Sequence, residues 1–159
     1  GSAQLAGSPG PSETDSPVSD CAYGANRLWL ENAWHAESVQ IIRLPGLFGQ
    51  GLKKNIIFDL LNKRNHENIC LDSCFQWFYL EQLGTVLSGI SKSGTEIRNI
   101  ATEPVLTRDI VLQFFSDDAA KCVGKNVIRY NMESENGYLF TKDRVMEQLK
   151  EFFAKNSSV

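Results

Sequence analysis

Val39-Gln40-Ile41-Ile42-Arg43-Leu44-Pro45-Gly46-Leu47-Phe48-Gly49 is the stretch on which the fold turns. Its first half, residues 39–44, is a short β-branched run of the kind found in strands buried on both faces of a parallel sheet. Pro45-Gly46 ends that strand, and Gly49-Gln50-Gly51 makes a loop. Upstream, residues 22–35 carry helical periodicity, with Leu28, Leu30, Ala33 and Trp34 as an apolar stripe and Glu31 and Asn32 expected to face water. Ser19-Asp20 offers side-chain acceptors for that helix start, after a turn-rich loop over 7–19. Downstream, a helix is predicted over 53–63, strands over 68–71 and 75–80, and a helix over 81–91. A strand over 96–101, a helix over 106–115 capped by Thr107, and a strand over 126–131 follow. The last helix, 142–155, has Thr141 as its cap and Val145, Met146, Leu149, Phe152 and Phe153 as its buried stripe. Helices alternating with short apolar strands are the pattern of an α/β protein.

Composition narrows the function classes. A chain of 159 residues with 42% hydrophobic and 22% charged content has enough apolar material for a substantial core. A net charge of −3 argues against a nucleic-acid partner, which would want clustered Lys and Arg. No apolar run approaches the ~20 residues that span a bilayer, and no signal peptide is visible, so no membrane partner and a cytoplasmic location are expected. Cys21, Cys70, Cys74 and Cys122 are irregularly spaced and read as reduced, small apolar residues. His35 has no Cys nearby, and His66 with Cys70 lacks two further ligands; both histidines read as surface or helix-end residues, and no metal is implied.

One pair of residues carries candidate chemistry. Tyr23 and Arg27 stand four apart at a helix start, on one face and about one turn from each other. A phenol with a reference pKa of ~10 is a poor base at neutral pH. A fixed positive charge beside it favours phenolate and makes the tyrosine a usable proton donor or acceptor. Ser2 is the candidate hydroxyl aimed at the same substrate oxygen. The spacing alone is weak, because Tyr138 and Lys142 match it too, across a helix boundary.

The surrounding order of segments strengthens Tyr23. Ser2-Ala-Gln-Leu-Ala-Gly7, then Glu13 and Pro17, then Tyr23-Gly24-Ala25-Asn26-Arg27 and Glu31, then Ile41 to Gly49, resembles the extended short-chain dehydrogenase/reductase family, the NAD-dependent epimerases and dehydratases of nucleotide sugars. Phe75-Gln76-Trp77-Phe78-Tyr79-Leu80-Glu81-Gln82-Leu83 resembles the strand-to-helix segment that closes over the sugar nucleotide. Ile97-Arg98-Asn99-Ile100 and Thr107-Arg108-Asp109-Ile110 resemble the late strand and the helix after it. The resemblance implies the C-terminal part of a Rossmann-like parallel sheet plus a small α/β substrate-binding region, with the N-terminal dinucleotide-binding half absent. Residues 1–50 would be the remnant of the Rossmann-like domain, and 51–159 mainly the substrate-binding region, with 77–101 returning to the sheet.

The resemblance further implies an NAD- or NADP-dependent parent, with hydride transfer and Tyr23, Arg27 and Ser2 as catalytic residues. It places cofactor contacts at Tyr23, Arg27, Leu44 and Pro45, and substrate contacts at Gly46, Phe48, Lys53, Lys54 and Gln76. A nucleotide-sugar-like substrate, the missing half of the same protein and a homodimer are the implied partners. The chain departs from the family in having Arg27 for Lys, Gly46 for Asn and no Arg near Phe75. Lys53 and Lys54 offer another anion site, the plain alternative being two solvated lysines. No G-x-G-x-x-G is present, and Gly46, Gly49 and Gly51 form G-x-x-G-x-G on the substrate side, so the chain alone is expected to bind no cofactor. A catalytically silent family member serving as a binding or scaffold module is the alternative.

Overall fold

The computed structural model describes Ser12 and residues 22–34, 39–90 and 97–156. Helix α1 (Ala22–Trp34) precedes two short strands, β1 (Ile41–Arg43) and β2 (Gly46–Phe48), and then helix α2 (Ile56–Leu61). Strands β3 (Cys74–Phe75) and β4 (Trp77–Tyr79) lead through a 3-10 turn (Leu80–Gln82) into α3 (Leu83–Gly89). Next come β5 (Ile97–Asn99), β6 (Val105–Leu106), α4 (Thr107–Phe114), a 3-10 turn (Ser116–Lys121) and α5 (Lys142–Asn156). The molecule is α/β, as its alternating pattern predicts. Among the described residues no helix is long and apolar enough to cross a membrane.

The opening stretch serves two sheets. β1 pairs in parallel with β5, placing Ile41, Ile42 and Arg43 beside Ile97, Arg98 and Asn99. Pro45 has no N–H to extend that ladder. After the Leu44-Pro45 step, β2 pairs instead with β4, also in parallel, setting Gly46, Leu47 and Phe48 against Trp77, Phe78 and Tyr79. Gly46 permits the close approach: a Cβ there would lie 2.9 Å from the Gln76 carbonyl oxygen and 3.1 Å from the Trp77 ring.

The expected strand over 75–80 is broken in the same way. β3 runs antiparallel to β6, whereas β4 belongs with β2, and Gln76 is the joint between them. Gln76 is fully buried. Its backbone oxygen accepts from the Gly46 N–H at 3.1 Å, so it is not free to pair with the segment on the other side. That segment, 126–131, was expected as a strand but makes a single parallel bridge, Cys74 with Arg129. The Cys74 N–H donates to Ile128 at 2.8 Å, and the Tyr130 N–H donates to Cys74 at 2.9 Å. Where the next backbone pair would form, the Gln76 side chain replaces the peptide. Its Oε1 accepts from the Met132 N–H at 2.7 Å, and its Nε2 donates to the Met132 carbonyl at 2.8 Å. Nε2 also reaches the Thr102 carbonyl at 2.7 Å and Asn131 Oδ1 at 3.1 Å.

Other boundaries move for local reasons. α2 is shorter than the expected 53–63 because Asn55 caps it, accepting from the Phe58 N–H at 2.9 Å while its Nδ2 donates to Leu47 at 2.7 Å. Residues 68–71 form no strand. Ile69 and Cys70 are buried beneath a loop, with the Gly124 N–H donating to Ile69 at 3.0 Å. α4 begins at Thr107 without a side-chain cap; the N–H groups of Thr107 and Arg108 are satisfied by the carbonyls of Ser73 and Leu71. Thr141 does cap α5, accepting from the Arg144 N–H at 3.3 Å, and Glu103 accepts from the Lys142 N–H at 2.7 Å. The five expected α5 residues are all buried, packed with Phe48, Tyr79, Ile110 and Val111.

A hydrophobic substitution at Gln76 should therefore be costly despite its buried setting. Gln76→Leu strands the Met132 N–H and two carbonyls in the core, and should destabilise the chain by about 2–4 kcal/mol. Urea denaturation with an unchanged m-value is the measurement; wild-type stability would show that the amide is not the joint between the sheets.

Candidate functional site

Ligands in open α/β sheets bind beyond the carboxyl ends of the parallel strands. β1 ends at Arg43 and β5 at Asn99. α1 carries positions 23, 27 and 31 at four-residue spacing, one above another along one side. Ser2 and the side chain of Tyr23 lie outside the described residues, so the expected hydroxyl and phenol have no geometry here. Arg27 is exposed on α1. Glu31, expected to face water, is instead half-buried and ion-paired with Arg43. Arg43 Nη2 donates to Glu31 Oε2 at 2.8 Å, and Nε lies 3.1 Å from Oε2 and 3.2 Å from Oε1. Sequence reasoning read both residues as parts of a motif and missed their pairing. The available signal was their opposite charge on consecutive elements.

The remaining candidates divide into two groups. Pro45 is buried and Leu44 half-buried at the step from β1 to β2, where Gly46 is bonded to Gln76. Phe48 stacks on Tyr79 with ring centroids 5.0 Å apart and Phe152 at its edge, which makes it part of the core. In this arrangement both Nε2 hydrogens and Oε1 of Gln76 are engaged by protein atoms. Lys53 and Lys54 are exposed in the segment before Asn55. Thus Leu44, Pro45, Gly46, Phe48 and Gln76 come together around β2 and β4, and the two lysines stand apart on the surface.

Two of the three glycines of G-x-x-G-x-G, Gly46 and Gly49, are used for packing, while Gly51 is exposed with open space beside it at φ 84°. Besides Gly46, Gly49 has φ 153°, and a Cβ there would meet the Leu80 Cβ at 2.8 Å. They let the chain approach β4 and the turn after it, and among the described residues neither Gly46 nor Gly49 stands open to a dinucleotide diphosphate. No group of three or more His, Cys, Asp or Glu that could hold a metal is found among them either.

Two polar clusters escaped the sequence reading. His66 is buried at 6% exposure in a 3-10 turn, not at the surface, with Nδ1 3.8 Å from Asp118 Oδ1. The ammonium of Lys121 donates to Asp118 at 2.6 Å and holds that carboxyl below the usual range. At the end of α5, the Lys155 ammonium lies 3.2 Å from Glu81 Oε2 and 3.4 Å from the Tyr79 hydroxyl. Burial raises the Tyr79 phenol above its ordinary value, and the bond to Glu81 adds to the rise. Burial also raises Tyr130, against the opposing charge of Arg43.

No protein-family model and no curated protein matches the chain. Solved structures do. The chain is similar to dTDP-glucose 4,6-dehydratase of Bacillus anthracis, solved in complex with NAD, with a TM-score of 0.70 and 12% identity over 97% of this chain and 58% of that one. It is also similar to MoeE5, solved with UDP-glucuronic acid and NAD, with a TM-score of 0.58 and 19% identity over 81% of this chain and 52% of that one. At these identities the likeness is one of fold. The chain spans little more than half the length of either structure.

The Tyr79 cluster has a pH signature. A raised phenol means that the fold favours the protonated form, so this stabilisation is complete below the unfolded value of ~10 and is lost as pH rises through the folded one. Tyr79→Phe should flatten the loss of melting temperature on the alkaline side and remove a late-titrating step from the phenolate absorbance. An alkaline profile identical to wild type would contradict the assignment.

Proposed function

We propose that this chain is the C-terminal portion of an NAD(P)-dependent nucleotide-sugar epimerase/dehydratase-like protein, in which Tyr23 moves the proton. The observation that carries the reading is the superposition of 97% of the chain on part of an NAD-holding dehydratase, at a TM-score of 0.70. In this reading residues 1–50 belong to a Rossmann-like domain carrying the Tyr-x-x-x-Arg helix. Residues 51–159 mainly form the substrate-binding region, with 77–101 returning to the sheet. Tyr23 gives a proton to, or takes one from, a sugar hydroxyl or carbonyl, and Ser2 polarises the same oxygen. Arg27 supplies the charge that favours phenolate. Leu44 and Pro45 line the cofactor side, and Lys53 and Lys54 meet the diphosphate. Gly46, Phe48 and Gln76 shape the substrate wall through their packing. With Gly46 and Gly49 taken up in packing, NAD or NADP is assigned to the cofactor-binding half of the parent, on a preceding segment or a partner polypeptide. No hydride step is derived from this chain.

A specific observation also favours the second reading, a catalytically silent binding or scaffold module. Three of the substrate-side candidates, Gly46, Phe48 and Gln76, are occupied in holding β2, β4 and α5 together.

Tyr23→Phe separates the two readings in a protein that includes the cofactor-binding half. With dTDP-glucose or UDP-glucuronic acid and NAD, turnover should fall ~10²- to 10⁴-fold, the usual loss of a general acid or base, with little change in melting temperature. Arg27→Lys should be tolerated, and Arg27→Met should raise the apparent pKa of the pH–rate profile by removing the charge that favours phenolate. Full activity in Tyr23→Phe would refute its role, and binding without turnover by wild type would favour the silent module. This chain alone should give no heat on calorimetric titration with millimolar NAD or NADP; saturable binding would place a cofactor site within it.

A further inference from the structure

No described side chain of α1 is buried, and Trp29 and Trp34 are 69% and 51% exposed. Apolar packing within the described residues therefore does little to choose which side of the helix faces β1. A specific contact between helix and strand is made by Glu31 and Arg43, at 21% and 17% exposure, joined by a forked carboxylate–guanidinium contact of 2.8–3.2 Å. This geometry is much stronger and more directional than a surface lysine pair, because the planar guanidinium matches the carboxylate through two N–H groups. Arg43 itself is held in register by the ladder to β5, its carbonyl accepting from the Ile100 N–H at 2.9 Å.

We infer that the Glu31–Arg43 pair is the positioning device of the candidate site, setting which side of α1, and so positions 23 and 27, is presented at the carboxyl end of β1. Positions 23, 27 and 31 lie on one side of the helix, so anchoring 31 sets the rotation of the other two. Arg43 is the last residue of β1, which puts the anchor at the strand end where ligands of open α/β sheets bind. Eight residues of helix, ~12 Å, separate position 31 from position 23, a lever along which a small rotation at the anchor misplaces a reacting group. The inference rests on the proposed function for its chemical half; its structural half stands on the contact alone.

The test is a double-mutant cycle of Glu31→Gln and Arg43→Met, read first by amide hydrogen exchange on this chain. Each single variant should speed exchange across α1 by ~10-fold while α5 keeps its wild-type protection, and the double variant should be no faster than the singles, as expected of two residues acting as a unit. In a protein that includes the cofactor-binding half, Arg43→Met should then lower kcat on dTDP-glucose or UDP-glucuronic acid with NAD far more than it changes KM, and Arg43→Lys should recover part of the loss. Unchanged α1 exchange in both singles overturns the inference, as does faster exchange with wild-type kcat. Exchange needs no substrate, so its result is independent of the functional reading, which Tyr23→Phe decides. If wild type turns over neither sugar nucleotide, the functional reading and the chemical half of this inference fall together, and exchange still decides the structural half.

Discussion

The Gln76 amide is a peptide group carried on a side chain, and the surrounding architecture depends on it. Gly46 takes the backbone oxygen of Gln76, so β2 can join β4 only if that oxygen is withdrawn from the segment on the other side. The side chain then supplies the acceptor and donor that Met132 needs. One buried residue thereby links β2, β4, the 128–132 segment and Thr102, pairing backbone groups on each of them. Leaving any of these groups unmet in the core would cost as much as a cavity of several methyl groups. The short strands are a consequence, since each ladder ends where the chain changes partners.

Sequence periodicity made the regular parts of this fold legible. Val145, Met146, Leu149, Phe152 and Phe153 follow a helical repeat and all five are buried, because α5 packs one face on the core. The run at 41–43 is a parallel strand, as expected, although its three residues are half-buried and not enclosed on both faces. Periodicity failed where burial and pairing part company. Ile69 and Cys70 are as apolar as strand residues, yet they cover the core from a loop. The segment 126–131 is extended, but its ladder is completed by a side chain, which no pattern of apolar residues can report. A buried Gln read from sequence alone looks like a polar surface residue or a substrate contact.

The candidate site was legible to a different degree. Helix α1 was found with nearly its observed bounds, and with it the register of positions 23, 27 and 31. Which of those positions meets the strand was not visible, because both Glu31 and Arg43 are ordinary surface residue types until their elements are brought together. His66 misled for the same reason: its burial against Asp118 depends on two 3-10 turns some fifty residues apart.

Gly46 and Gly49 act through the side chain they lack. In nucleotide-binding turns glycine clears space for a phosphate, and in this chain Gly46 and Gly49 clear space for Gln76, Trp77 and Leu80. The same lack of a Cβ thus serves a contact within the chain, and a glycine pattern after a strand has no functional meaning until the occupant of the cleared volume is known. Here the occupants are the chain's own β4 and the turn that follows it. A Cβ at either position would press on backbone or on the root of a side chain, atoms that cannot swing aside. Gly46 and Gly49 therefore belong with Gln76, as part of the device that lets β2 leave the partner of β1 and join β4.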